Sequence, residues 1–137
     1  MTGINAIQQD LVEQFTVFDD WMDRYQLLIS MGRKTKSFPI EKRVDQYFVP
    51  GCQSQVWFDI QEEGDKLRFS GTSDAAIVAG LVALLMKLYD NQTPADILAT
   101  PPDFIAEIGF DAHLSPTRQT GLYAMLKELK LRAQAML

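Results

Sequence analysis

The stretch AAIVAGLVALLMKLY, residues Ala75 to Tyr89, constrains the fold more than any other part of the chain. It is apolar nearly all the way round a helix, and such a helix is stable only when other elements cover it on every side. It is too short to cross a bilayer and contains Lys87. We therefore predict a central core helix from Ala75 to about Tyr89, capped by Ser73 or Asp74.

Helical patterns lie on both sides of this segment. Apolar residues recur at helical spacing from Ile4 to Phe18 and again from Trp21 to Ile29. Asp19 or Asp20 is predicted to cap the second helix and Gly32 to end it. Further along the chain, the predicted helix starts are Thr93-Pro94 and Ser115-Pro116, with a short helix in PPDFIAEIG (Pro101 to Gly109) and an apolar stripe of Leu122, Met125, Leu126, Leu129, Ala133 and Met136.

The middle of the chain changes period from helix to strand. Val56, Phe58 and Ile60 alternate with polar residues, and KLRFS (Lys66 to Ser70) alternates again after a turn at EEGD. A short strand at Tyr47 to Val49 would make about three antiparallel strands. The predicted class is α+β, with this small sheet packed against several helices in a single domain spanning 1–137.

Composition excludes some classes of function. The formal net charge of −5 argues against a general nucleic-acid binder, which would carry a basic surface. The N-terminus lacks the basic start and apolar stretch of a signal peptide, and no apolar run is long enough for a membrane span. A single cysteine cannot form an internal disulfide, so we expect a reducing cytoplasm.

That cysteine, Cys52, lies in the segment PGCQSQVWF, on a predicted tight loop after Pro50 and Gly51. Built-in zinc or iron–sulfur binding is rejected because about four ligands are needed and only Cys52 and His113 are of the right type. A hydrolase or transferase using Cys52 and His113, with an acid such as Asp74, remains an alternative. From the residues alone, a reactive thiol and a buried structural thiol are equally supported.

The segment PGCQSQVWF resembles the cysteine loop of the SufE/CsdE family of sulfur-acceptor proteins, whose pattern is GC(Q/E)SQVW. Four further segments match family elements in the same order along nearly the whole chain: YQLLISMGRK, SDAAIVAGLVALL, TPADIL and HLSPTRQTGLYAM. The resemblance implies helices packed on a small antiparallel sheet, as in the cluster-scaffold protein IscU.

The resemblance also implies a function. Cys52 would accept persulfide sulfur from a cysteine desulfurase of the SufS or CsdA type, stimulate that enzyme, and pass the sulfur to a SufBCD-type complex for iron–sulfur cluster assembly. The desulfurase uses pyridoxal phosphate, whereas the acceptor is expected to need no cofactor or metal and to have no independent turnover.

Residues around Cys52 are assigned supporting roles, each beside a plainer alternative. Gly51 serves the turn, and Gln53, Ser54 and Gln55 bond the loop backbone or contact the desulfurase. Arg118, in the first turn of the last helix, would stabilise a thiolate or form a surface salt bridge. Asp74 would cap a helix or contact the partner, His113 would relay protons or make a structural hydrogen bond, and Trp57 is expected to pack in the core or on the sheet.

Overall fold

The computed structural model describes residues 3–35 and 38–137. The helices and strands, in chain order, are α1 (Ile4–Thr16), α2 (Trp21–Lys34), β1 (Val56–Glu63), β2 (Lys66–Ser73), α3 (Ala76–Tyr89), α4 (Pro94–Ala99), α5 (Phe104–Ile108), α6 (Phe110–His113) and α7 (Pro116–Ala135), with 3₁₀ turns at Ile40–Lys42 and Asp45–Tyr47. The strands form one antiparallel pair, so the α+β class is confirmed.

Helix α3 lies at the centre of the core, as its all-round apolar pattern predicts. It packs against α2, β2 and α1, and most of its residues from Val78 to Tyr89 are buried. A buried polar side chain also links the middle of α1 to the start of α5. The buried Gln8 side chain of α1 accepts a hydrogen bond from the Phe104 amide at 3.0 Å and donates to the Pro101 carbonyl at 3.3 Å.

Several predicted helix ends are confirmed. Asp20, Thr93 and Ser115 each accept a backbone hydrogen bond in the first turn of the helix that follows. Gly109 ends α5 in the left-handed conformation, with φ of 100°. The hairpin turn predicted at EEGD is also present, with Gly64 at φ 65° between β1 and β2.

The prediction that Gly32 ends α2 is wrong, because the helix continues to Lys34. Gly32 instead faces Gly80 of α3, and a Cβ atom on Gly32 would lie only 2.8 Å from the Gly80 nitrogen. A Cβ atom on Gly80 would lie 2.5 Å from the Leu28 carbonyl oxygen. The two glycines therefore let α2 and α3 approach to backbone contact. A local sequence pattern does not distinguish a glycine with this packing role from a glycine that ends a helix.

The predicted strand at Tyr47 to Val49 is reduced to a single bridge. The chain forms a 3₁₀ turn up to Tyr47, and only Phe48 pairs with Trp57 in β1. The Val49 amide then donates to the Val56 carbonyl at 2.9 Å. The preceding residues lie across the outer face of the sheet, where Lys42 pairs with Asp59 at 2.6 Å, so they cannot also run alongside β1.

The cap predicted for α3 is wrong as well. The helix begins at Ala76, one residue later than predicted, and its N-cap position, Ala75, has no side-chain cap. Ser73 Oγ accepts a hydrogen bond from the Ala75 amide at 3.3 Å. The shorter hydrogen bond of Ser73, and that of the Asp74 carboxylate, go instead to Gln55 in the loop that carries Cys52. Tertiary contacts thus use the polar side chains that the sequence pattern assigns to the helix end.

We expect Gly80→Ala to destabilise the protein, because the added methyl group overlaps the Leu28 backbone and forces α2 and α3 apart. Overpacking of this kind costs about 1–3 kcal/mol, which urea unfolding followed by circular dichroism would measure. Gly3→Ala is the control, since nothing lies within 4 Å of a Cβ atom at that position. Its cost should stay below about 1 kcal/mol, reflecting only the weaker N-cap preference of alanine. Equal stability of the Gly80→Ala and wild-type proteins would contradict this description of the helix crossing.

Candidate functional site

The loop that carries Cys52 spans the residues between the paired Val49 and Val56. Gly51 has φ of 88°, a conformation that L side chains rarely adopt, and a Cβ atom there would lie 3.1 Å from the Ala124 side chain. The positive φ favours glycine at this turn, the role that the sequence assigned to Gly51, and the close contact with Ala124 leaves little room for a side chain. The turn directs the Cys52 side chain inward, toward α7.

The Cys52 thiol is half-buried against α7. Its Sγ atom donates a hydrogen bond to the Gly121 carbonyl oxygen at 3.4 Å. A Cβ atom on Gly121 would lie 3.8 Å from Sγ, an ordinary van der Waals distance, so the α7 backbone passes directly beside the sulfur. A cavity of about 20 Å³ adjoins the thiol, lined by Cys52, Gln53, Ser54, Val78, Leu81, Thr117, Arg118, Gly121 and Met125.

Burial raises the pKa of the Cys52 thiol above its ordinary value. Removing the sulfur from water disfavours the charged thiolate, and desolvation is the cause of the shift. Arg118 lies in the first turn of α7, as predicted, and it also lines the cavity. Burial in this conformation favours the protonated, weakly nucleophilic thiol over the thiolate.

Three polar groups fix the C-terminal end of the loop at Gln55. The Gln55 amide donates to Asp74 Oδ1 at 3.0 Å, and the Ser73 hydroxyl donates to the Gln55 carbonyl at 2.7 Å. The Asp74 amide donates to the same carbonyl at 3.3 Å. Asp74 is thus a loop anchor in this structure, a role that the sequence pattern did not indicate. Pro50 to Ser54 form the part of the loop between this anchor and the Val49 pairing.

The structure does not bring His113 to Cys52. The His113 ring stacks on Trp21 with centroids 3.7 Å apart, and its Nδ1 lies 3.1 Å from the Gly109 carbonyl oxygen. Its own carbonyl accepts a hydrogen bond from the Tyr25 hydroxyl at 2.7 Å. His113 has the structural hydrogen bond that was its plainer alternative, and the geometry gives no support to a Cys52–His113 hydrolase.

Five cavity residues were not predicted as site residues, although a signal exists for one of them, Gly121: Val78, Leu81, Thr117, Gly121 and Met125. Gly121 lies within the long helix α7, and a helix with glycine at an interior position is less stable than one with alanine there by about 1 kcal/mol. A glycine at such a position points to a packing or functional reason, and here the Cys52 side chain lies beside it. Met125 lies one turn further along the apolar stripe and carries no separate signal.

Within residues 3–35 and 38–137, no group of three or more histidine, cysteine, aspartate or glutamate side chains is placed to hold a metal ion. None of the helices within those ranges combines the length and the apolarity needed to span a bilayer.

The fold and the site together define a small α+β domain with one cysteine on an anchored loop. The chain belongs to the SufE family, described as "Fe-S metabolism associated domain", which it matches over residues 9–133. This family membership gives the protein an accessory role in sulfur transfer for iron–sulfur metabolism, as the resemblance implied.

Individual relatives agree with this assignment. The chain is 34% identical to an uncharacterised SufE-like protein of Rhizobium meliloti (strain 1021), covering 100% of this chain and 99% of the relative. It is 37% identical to another from Rhizobium etli, covering 95% and 94% respectively. The solution structure of a hypothetical protein from Thermus thermophilus shares the fold, with a TM-score of 0.77, 24% identity and 95% of each chain covered.

We predict that iodoacetamide alkylates Cys52 in the folded protein with a pH midpoint above that of the urea-unfolded chain. Since burial raises the folded pKa, the unfolded state releases its proton first, at a pH near the value of about 8.5 for free cysteine. The contribution of the thiol to stability is therefore present below that pH and is lost as pH rises through the folded pKa. Intact-mass kinetics from pH 6 to 10 would measure both midpoints; a lower midpoint in the folded protein would contradict the prediction.

We also predict that Asp74→Ala speeds this alkylation about three- to tenfold at pH 8, because one of the hydrogen bonds that anchor Gln55 is lost. Asp74→Asn is the matched control, since its amide oxygen still accepts from the Gln55 amide. It should react at close to the wild-type rate, while both variants keep the wild-type circular dichroism spectrum. Equal rates for Asp74→Ala and Asp74→Asn would show that this bond does not hold the loop.

Proposed function

We propose that this protein accepts sulfur on Cys52 from a pyridoxal-phosphate cysteine desulfurase of the SufS or CsdA type and passes it on for iron–sulfur cluster assembly. One observation supports this most directly: the only thiol of the chain lies on an anchored loop, beside a cavity of about 20 Å³. That volume is on the scale of a single water molecule, and so of one additional sulfur atom.

The proposed transfer is a displacement at sulfur. The Cys52 thiolate attacks the outer sulfur of the persulfide on the desulfurase, a new S–S bond forms at Cys52, and the S–S bond of the donor breaks. The electron pair of the broken bond leaves with the cysteine sulfur of the desulfurase, which becomes a thiolate. No outside oxidant or reductant is needed, because a persulfide is consumed and another is formed.

The thiol must be ionised to attack, whereas burial favours its protonated form. We infer that contact with the desulfurase moves the loop outward, so that Cys52 gains water or charged neighbours and its pKa falls. The anchor at Gln55 limits this movement to the neighbouring residues Pro50 to Ser54. In the returned loop the outer sulfur would occupy the cavity beside Gly121.

A single thiol suits this function. A second cysteine near Cys52 would attack the inner sulfur of the persulfide, close a disulfide and release sulfide. The chain has no other cysteine, so this loss cannot occur within one molecule. We further propose that the protein stimulates the desulfurase by removing its persulfide, acts as one domain in a reducing cytoplasm, needs no cofactor of its own and delivers sulfur to a SufBCD-type assembly.

Incubation with a cysteine desulfurase and free cysteine should add the mass of one sulfur atom to the wild-type protein, read by intact mass spectrometry without reductant. Cys52→Ser should gain no sulfur and should not raise desulfurase turnover. His113→Ala is the matched control for the alternative chemistry and should still accept sulfur, since His113 lies against Trp21.

The proposal fails if the wild-type protein neither gains sulfur nor raises the turnover of the desulfurase. It also fails if sulfur appears on Cys52→Ser to the same extent as on the wild type.

A further inference from the structure

A second cleft shares no lining residue with the thiol cavity. It has a volume of about 200 Å³ and is formed by the end of α2, the segment after it, β2 and α3. Two arginines line it, Arg33 from α2 and Arg43 from the segment that lies over the sheet. Both side chains are exposed.

Within residues 3–35 and 38–137, Arg33 and Arg43 differ from Arg68 and Arg132 in having, like Arg118, no carboxylate acceptor. Arg68 pairs with Asp90 at 3.2 Å, and Arg132 pairs with Glu128 at 2.9 Å. Within residues 3–35 and 38–137, by contrast, Arg33 and Arg43 have no carboxylate at salt-bridge distance and donate no side-chain hydrogen bond. The four remaining residues of the chain have no side-chain carboxylate.

The cleft is therefore a local concentration of positive charge on a chain whose net charge is −5. The Arg43 guanidinium lies over the Trp57 ring, 5.6 Å from the centroid. A guanidinium held on an aromatic face keeps its N–H groups free for a ligand and loses less conformational entropy on binding. The planar fork of N–H donors fits a carboxylate with two parallel hydrogen bonds.

The cleft lies at the same end of the sheet as the Cys52 loop. Thr72, which lines the cleft, pairs with Trp57, next to the Val56 residue that closes the loop. Ala79 lines the cleft, and its neighbour Val78 lines the thiol cavity. Phe48, just before the loop, pairs with Trp57 of β1, and Trp57 pairs with Thr72 of β2 at the cleft. Two adjacent-strand spacings therefore place the cleft roughly 10 Å from the start of the loop.

A protein that reaches Cys52 would cover the cleft as well. A standard interface buries about 800 Å² on each partner, which corresponds to a disc of roughly 16 Å radius. We propose that Arg33 and Arg43 bind acidic side chains on the surface of the desulfurase and so orient the acceptor loop toward the persulfide. This inference rests on the function proposed above and assigns the two arginines to docking, not to chemistry.

The test is the affinity of the desulfurase for Arg33→Glu and Arg43→Glu, measured by biolayer interferometry at several salt concentrations. Each change should raise Kd about tenfold and make the dependence on salt less steep, because a charge-assisted pair becomes a repulsive one. At saturating desulfurase, sulfur transfer to Cys52 should keep the wild-type rate.

Lys66→Glu is the matched control. It makes the same change in net charge but lies at the hairpin end of the sheet, far from the loop. Its Kd should stay within about threefold of wild type. Circular dichroism should show that all the variants are folded, and Arg33→Gln and Arg43→Gln, which remove charge without adding repulsion, should weaken binding to a smaller extent.

The proposal is overturned if Arg33→Glu and Arg43→Glu bind the desulfurase as tightly as Lys66→Glu does. It is also overturned if calorimetry shows that the wild-type protein binds inorganic phosphate and the arginine variants do not, while the variants keep the wild-type affinity for the desulfurase. The cleft would then be a site for a free anion. Loss of sulfur transfer at saturation with unchanged Kd would likewise contradict docking. Failure of the wild-type protein to accept sulfur, with binding still sensitive to Arg33 and Arg43, would refute the proposed function alone.

Discussion

The close crossing of α2 and α3 at Gly32 and Gly80 is the contact on which the rest of the structure depends. The absence of a side chain at each glycine lets the helix backbones meet, so α3 can be covered by α2 on one side and by β2 on another. Its residues Val78 and Leu81 then form part of the thiol cavity. The same packing that buries the core thus supplies a fixed surface beneath Cys52, and the cysteine loop lies on a rigid support.

The loop combines a fixed base with a lightly held tip. Its ends are fixed by backbone pairing at Val49 and by three hydrogen bonds at Gln55. Cys52 itself has one long hydrogen bond, from Sγ to the Gly121 carbonyl. Segments with few such contacts open at low free-energy cost while the rest of a fold stays intact. This division explains how a thiol can be sheltered in the free protein and still be presented to a partner.

Much of the fold could be predicted from the sequence, because the local signals agree with their tertiary setting. The proline-containing helix starts and the hairpin turn appear as predicted, and so does the central helix apart from its first residue and its cap. The errors occur where a residue serves a distant partner: Gly32 packs on Gly80, and Ser73 and Asp74 bond Gln55. The strand predicted at Tyr47 to Val49 is replaced by a 3₁₀ turn and one bridge, since the preceding residues cover the sheet.

The sequence by itself determined the elements, the α+β class and the location of the one thiol on a glycine turn, because helix periodicity, capping and positive φ are local properties. It left open whether that thiol is reactive or structural. Only the tertiary structure decided what surrounds it: burial against Gly121, the Asp74 anchor, the separation from His113 and the arginine cleft beside the same end of the sheet. These features depend on contacts between residues far apart in the chain, and no spacing within a single segment encodes them.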